Sequence, residues 1–97
     1  MDGTTQRRPV LEAIPRRRPN VRIQVVGNET LVLDQQSGHI HQLNATASFI
    51  WQQCDGKTSV TNILDRLVQE FEVSDEDAAR DAVGVIEKLQ ELNLLHI

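Results

Sequence analysis

The spacing of apolar residues changes once along this chain, at Asn44. Before it the pattern repeats every two residues; after it the repeat is three to four. Side chains alternate faces along a strand and return to one face every 3.6 residues along a helix, so the two halves cannot form the same kind of element. Strands come first and helices follow. That order predicts an α+β domain, because an alternating βα fold needs the two periods interleaved.

In the first half, Val21, Ile23 and Val25 alternate with Arg22 and Gln24, the signature of a half-buried strand. Gly27-Asn28 follows, a pair suited to the positive φ of a tight hairpin turn. Thr30–Asp34 is rich in strand formers and is predicted to pair back antiparallel. Gln36-Ser37-Gly38 marks a second turn, and His39–Leu43 reads as a third strand. A three-stranded antiparallel meander buries too little surface alone, so a helical layer is expected on one face.

In the second half, Asn44 is the predicted N-cap of a helix carrying Ala47, Ile50, Trp51 and Cys54 on one face. Asp55-Gly56 ends it, and Thr58 or Ser59 caps the next. That second helix places Val60, Ile63, Leu64, Leu67, Val68 and Phe71 on one face. Ser74 caps the last, with Asp77 completing a capping-box pattern and Asp75 and Glu76 beside the positive helix end. Its apolar face comprises Ala78, Ala82, Val85, Ile86, Leu89 and Leu92. The closing Leu94-Leu95-His96-Ile97 is expected to pack back on the domain.

Charge divides unevenly. Residues 1–22 hold six arginines against Asp2 and Glu12, whereas residues 23–97 hold four cations against twelve acids. With Pro9, Pro15 and Pro19 in the same stretch, residues 1–20 are expected to form a flexible basic arm, leaving 21–97 as the folded domain. No apolar run exceeds three residues, so neither a membrane span nor a secretory signal is expected. The single cysteine cannot form an intramolecular disulfide, and a cytoplasmic setting is the default expectation.

The sequence offers little catalytic chemistry. The five glycines stand singly, without a phosphate-binding loop. Cys54 falls on a predicted core face, where burial disfavours the reactive thiolate. His39 and His41 share a strand face, but a closed metal site needs two further ligands that no spacing supplies. Trp51 reads as a core anchor. No catalytic residue, metal site or cofactor is expected, and the chain reads as a binding protein rather than an enzyme.

What remains is a surface for another chain. The third strand is short, contains neither lysine nor proline, and presents an unblocked edge onto which an extended peptide can add. The last helix has a wide apolar surface, with Ala79 and Val83 on a shoulder beside Ala82 and Ile86. Two rival readings fit the element order. A winged-helix DNA-binding protein is one, but the last helix is flanked by seven acids against Arg80 and Lys88, so phosphate repulsion makes nucleic acid a poor partner. A dimeric scaffold is the other.

Gly38, Leu43-Asn44-Ala45-Thr46-Ala47, Ile50-Trp51, Asp55-Gly56 and Ser59-Val60 together resemble the PqqD family, the coenzyme PQQ synthesis D proteins and related precursor-peptide recognition elements. Arg16-Arg17-Arg18-Pro19-Asn20-Val21 is similar to that family's lead-in, and Leu92-Asn93-Leu94-Leu95 to its ending, so the resemblance covers about residues 15–97. It implies a winged-helix-like fold of three strands and three helices. It also implies a non-catalytic role: binding the leader of a ribosomally made precursor peptide as an added strand and presenting it to a modifying enzyme, of the radical-SAM type in PQQ synthesis. Carried onto this chain, the implied peptide site is His39, Ile40, His41, Gln42 and Leu43 on the strand, facing Ala79, Ala82, Val83 and Ile86 on the last helix.

Overall fold

The computed structural model describes residues 11–97. The elements in order are β1 (Arg16–Arg17), β2 (Val21–Val26), β3 (Glu29–Asp34), β4 (Ile40–Leu43), α1 (Ala45–Gln53), α2 (Val60–Phe71), α3 (Asp75–Glu91) and β5 (Leu95–His96). Strands β2, β3 and β4 form the expected antiparallel meander in that spatial order, so the α+β architecture of three strands followed by three helices stands. Gly27, at φ 64°, supplies the positive φ that joins Val26 to its partner Glu29.

The register decides which strand residues meet the helices. Thr30 pairs with Leu43, and Val32 with both His41 and Ile23. Cross-strand partners share a face. Thr30, Val32 and Leu43 are buried, so this is the face the helices cover. Leu31, Leu33 and Ile40 lie on the opposite face.

All three expected caps form. Asn44 Oδ1 accepts from the Ala47 amide at 2.9 Å, Ser59 Oγ from Asn62 at 3.2 Å, and Ser74 Oγ from Asp77 at 3.1 Å. Ile50, Trp51, Ile63, Leu67, Ile86 and Leu89 are the large side chains of one continuous core. Truncating any of the aliphatic ones to alanine costs about 2–5 kcal/mol by the usual cavity rule. Among the described residues no helix is long and apolar enough to cross a membrane.

Helix α3 ends in a Schellman turn. The Leu94 amide donates to the Leu89 carbonyl at 2.8 Å, and the Asn93 amide to Gln90 at 2.9 Å, with Asn93 left-handed at φ 63°. The turn reverses the chain, buries Leu94 and Leu95, and lays β5 antiparallel to β1. The expected packing of the C-terminus onto the domain is thus realised.

The N-terminal expectation needs correction for residues 11–20; residues 1–10 lie outside those described. Arg16 pairs with His96 and Arg17 with Leu95. Pro15 is fully buried. Arg17 Nη1 donates to the carbonyls of Trp51 at 3.0 Å and Gln52 at 2.8 Å at the end of α1, where the Trp51 carbonyl also accepts from the Cys54 amide at 3.2 Å. The amides of Val60 and Thr61, at the start of α2, donate to the carbonyls of Ala13 and Leu11. These prolines exclude sheet interiors, but a two-residue strand between Pro15 and Pro19 needs no interior position.

Candidate functional site

The backbone of β4 has one side paired with β3 and one side that no described strand pairs. The Asp34 amide donates to the His39 carbonyl at 2.9 Å, which makes 34 and 39 a hydrogen-bonded pair. Bonded and non-bonded pairs alternate along an antiparallel ladder. His41 opposite Val32 and Leu43 opposite Thr30 therefore point their amides and carbonyls into the sheet. Ile40 and Gln42 point theirs outward. Strand β4 is terminal in its sheet, and no strand among the described residues pairs with that outer edge.

Beside this edge a groove of about 560 Å³ runs between β4 and α3. Ile40, His41, Gln42 and Leu43 form one wall. Asn44 and Ala47 are contributed by the start of α1. The other wall is Gly84, Val85, Lys88 and Leu89, with Leu92 beyond them. Most of these groups are apolar, and Lys88 is the single charged side chain among them.

Four of the expected strand residues line the groove. His39 does not: it precedes β4 and is exposed, its ring edge-to-face with His41 at 6.2 Å between centroids. Ile40 is 66% exposed. Gln42 reaches back along the sheet, donating through Nε2 to Glu29 Oε1 at 2.8 Å.

The expected helix residues lie elsewhere on α3. Ala82 and Ile86 have no exposed surface and belong to the core. At 100° per residue, Ala79 and Val83 stand about 120° and 160° around the helix from Val85, beyond the buried stripe and away from the groove wall. The residues facing β4 are on the stripe's other shoulder. One signal for them was present in the sequence. Gly84 interrupts an otherwise regular helix, where glycine costs about 1 kcal/mol relative to alanine.

The arrangement offers a surface suited to binding an extended chain. Among the described residues no cluster of three or more His, Cys, Asp or Glu side chains could hold a metal ion. The Cys54 thiol is buried, donates to the Ile50 carbonyl at 3.2 Å, and has its pKa pushed up to about 12 by that burial. At neutral pH it carries no thiolate. An outward row of unpaired amides and carbonyls beside an apolar trough suits an extended polypeptide.

The sequence model of the family described as coenzyme PQQ synthesis protein D (PqqD) matches residues 29–95, from the first residue of β3 into β5. The chain belongs to the PqqD family. Its PqqD region contains both walls of the groove and strands β3 and β4 of the meander. Two solved structures share the fold. One, "Lasso peptide synthetase B1 complexed with the leader peptide", is 30% identical, covers 88% of this chain and 100% of its own, and superposes with a TM-score of 0.76. The other, "TbiB1 in Complex with the TbiA(beta) Leader Peptide", is 23% identical over 84% of this chain and 94% of its own, also with a TM-score of 0.76. No curated protein sequence matches this PqqD-family chain.

Proposed function

We propose that this PqqD-family protein is a non-catalytic recognition element that binds the leader of a ribosomally made precursor peptide and presents it to a peptide-modifying enzyme. The leader adds as a strand to the outer edge of β4 and lies in the groove against α3. The observation carrying this reading is the outward-facing backbone of Ile40 and Gln42 beside the groove. Backbone bonds along such an edge provide affinity, while alternate side chains of the added strand select the sequence.

The 30%-identical structure, a lasso peptide synthetase B1 protein bound to a leader peptide, supports a lasso-type precursor as the substrate class. The enzyme that receives the peptide is then a lasso-type maturation enzyme, in place of the radical-SAM partner implied by the PQQ branch of the family.

The test is a titration of ¹⁵N-labelled protein with synthetic leader segments from short open reading frames beside the gene. Saturable shifts should concentrate at Ile40–Leu43 and at Gly84, Val85 and Lys88. If leader segments from the neighbouring precursor genes leave these amides unmoved, the reading fails.

A further inference from the structure

Resting on the leader-binding reading, we infer that Gly84 and Lys88 together set which leader is accepted: an extended segment with a bulky apolar residue seated over Gly84 and an acidic residue two positions away beside Lys88.

Among the described residues nothing demands glycine at position 84. Gly27, Gly38 and Gly56 have positive φ, which glycine adopts without strain; Gly84 is helical. A Cβ built on Gly84 would meet nothing within 4 Å. Packing therefore does not demand glycine, and helix propensity opposes it. The position is unusual in one other respect: it lies on the groove wall facing β4. A side chain there would displace only an occupant of the groove.

Lys88 stands one turn further along the same wall. Four helical residues advance about 6 Å. Two strand residues advance about 6.6 Å and return to the same face. Along an added strand that runs beside α3, alternate side chains therefore match the axial spacing from Gly84 to Lys88. The first finds a notch bordered by Val85. The second finds Lys88, the single charged side chain lining the groove, within residues 23–97, which hold twelve acids against four cations. An acidic leader side chain would be repelled by most of this surface and is favoured at Lys88. The strand's direction fixes which of the two residues comes first.

The experiment is a selection of random twelve-residue peptides by mRNA display against the full chain, repeated with Gly84→Leu and Lys88→Glu. The wild-type protein should enrich a bulky apolar residue and an acid two apart. Lys88→Glu should replace the acid with Lys or Arg at the same position. Gly84→Leu should bind the wild-type winners at least tenfold more weakly while melting no lower than wild type. Gly84→Ala, which strengthens the helix, should melt higher and bind more weakly. If wild type enriches peptides but both variants return the same consensus with unchanged affinity, the inference is wrong and the leader-binding reading stands. If wild type enriches nothing, the leader-binding reading falls, and this inference with it.

Discussion

The amide of Asp34 donates to the carbonyl of His39 at 2.9 Å, and this one bond fixes which backbone groups of β4 remain unused. Proline substitution reads out that parity. Ile40→Pro removes an outward amide and leaves the ladder to β3 intact, which an edge strand tolerates. It should weaken leader binding about three- to tenfold, the value of one backbone hydrogen bond, with little change in urea stability. His41→Pro removes an amide paired with Val32 and should cost about 1 kcal/mol or more in folding. Calorimetric titration and urea melts separate the two. Equal stability losses, or unchanged affinity in folded Ile40→Pro, would contradict the assignment.

Asp55 ties the α1–α2 connection together. Its carboxylate accepts from the amides of Lys57 at 2.8 Å and Thr58 at 3.0 Å, and from the Thr58 hydroxyl at 3.2 Å. The Lys57 amide contributes most to holding its pKa below the ordinary 3.8. A carboxylate with a depressed folded pKa adds stability that is complete above its unfolded value and disappears as pH falls through the folded one. The Asp55 contribution is thus present at pH 7 and declines from about pH 4 downward. Asp55→Ala should melt lower at neutral pH and lose less on acidification. Asp34, depressed chiefly by the Gln36 amide, behaves alike and remains in the variant, so the acid limb becomes shallower without vanishing. Melting curves from pH 7 to pH 2.5 that run parallel for the two proteins would refute this role.

Cys54 should react only when the domain opens. Burial has removed its exposed surface and its neutral-pH thiolate together. Thiol-exchange labelling at pH 8 should run at least about 1,000-fold slower in native protein than in denaturant, tracking global unfolding. Rapid labelling of the folded protein would show a local opening at the end of α1.

The helical half was legible because each signal is local. Asn44, Ser59 and Ser74 sit immediately before regular apolar stripes, and a cap needs only the next three amides. The same regularity does not select which side of α3 faces the groove. A stripe of Ala78, Ala82, Ile86 and Leu89 identifies the buried face but not which shoulder turns toward β4. That choice depends on where α1 and the sheet sit in three dimensions, and only Gly84 hinted at it. Residues 11–20 depart from the flexible-arm expectation for a related reason: Arg16 and Arg17 are ordered by partners at His96, Leu95, Trp51 and Gln52, too distant for any local pattern to reveal.

Glu72 carries a conformational cost that can be removed. It ends α2 in the left-handed region, at φ 53° and ψ 43°, with its amide donating to the Val68 carbonyl at 2.9 Å. An L-residue with a Cβ pays about 1–2 kcal/mol to sit there, whereas glycine at the end of a helix does not. Glycine's greater freedom in the unfolded chain returns part of the gain. Glu72→Gly should therefore stabilise the domain by about 0.5–1 kcal/mol and raise Tm by about 3–6 °C. The side chain is exposed and lies outside the groove, so leader affinity should not change. Asn93, left-handed at φ 63°, is the internal comparison: asparagine tolerates this region, and Asn93→Gly should gain less. A lower Tm for Glu72→Gly would mean that the glutamate side chain supports the turn in a way its backbone geometry does not express.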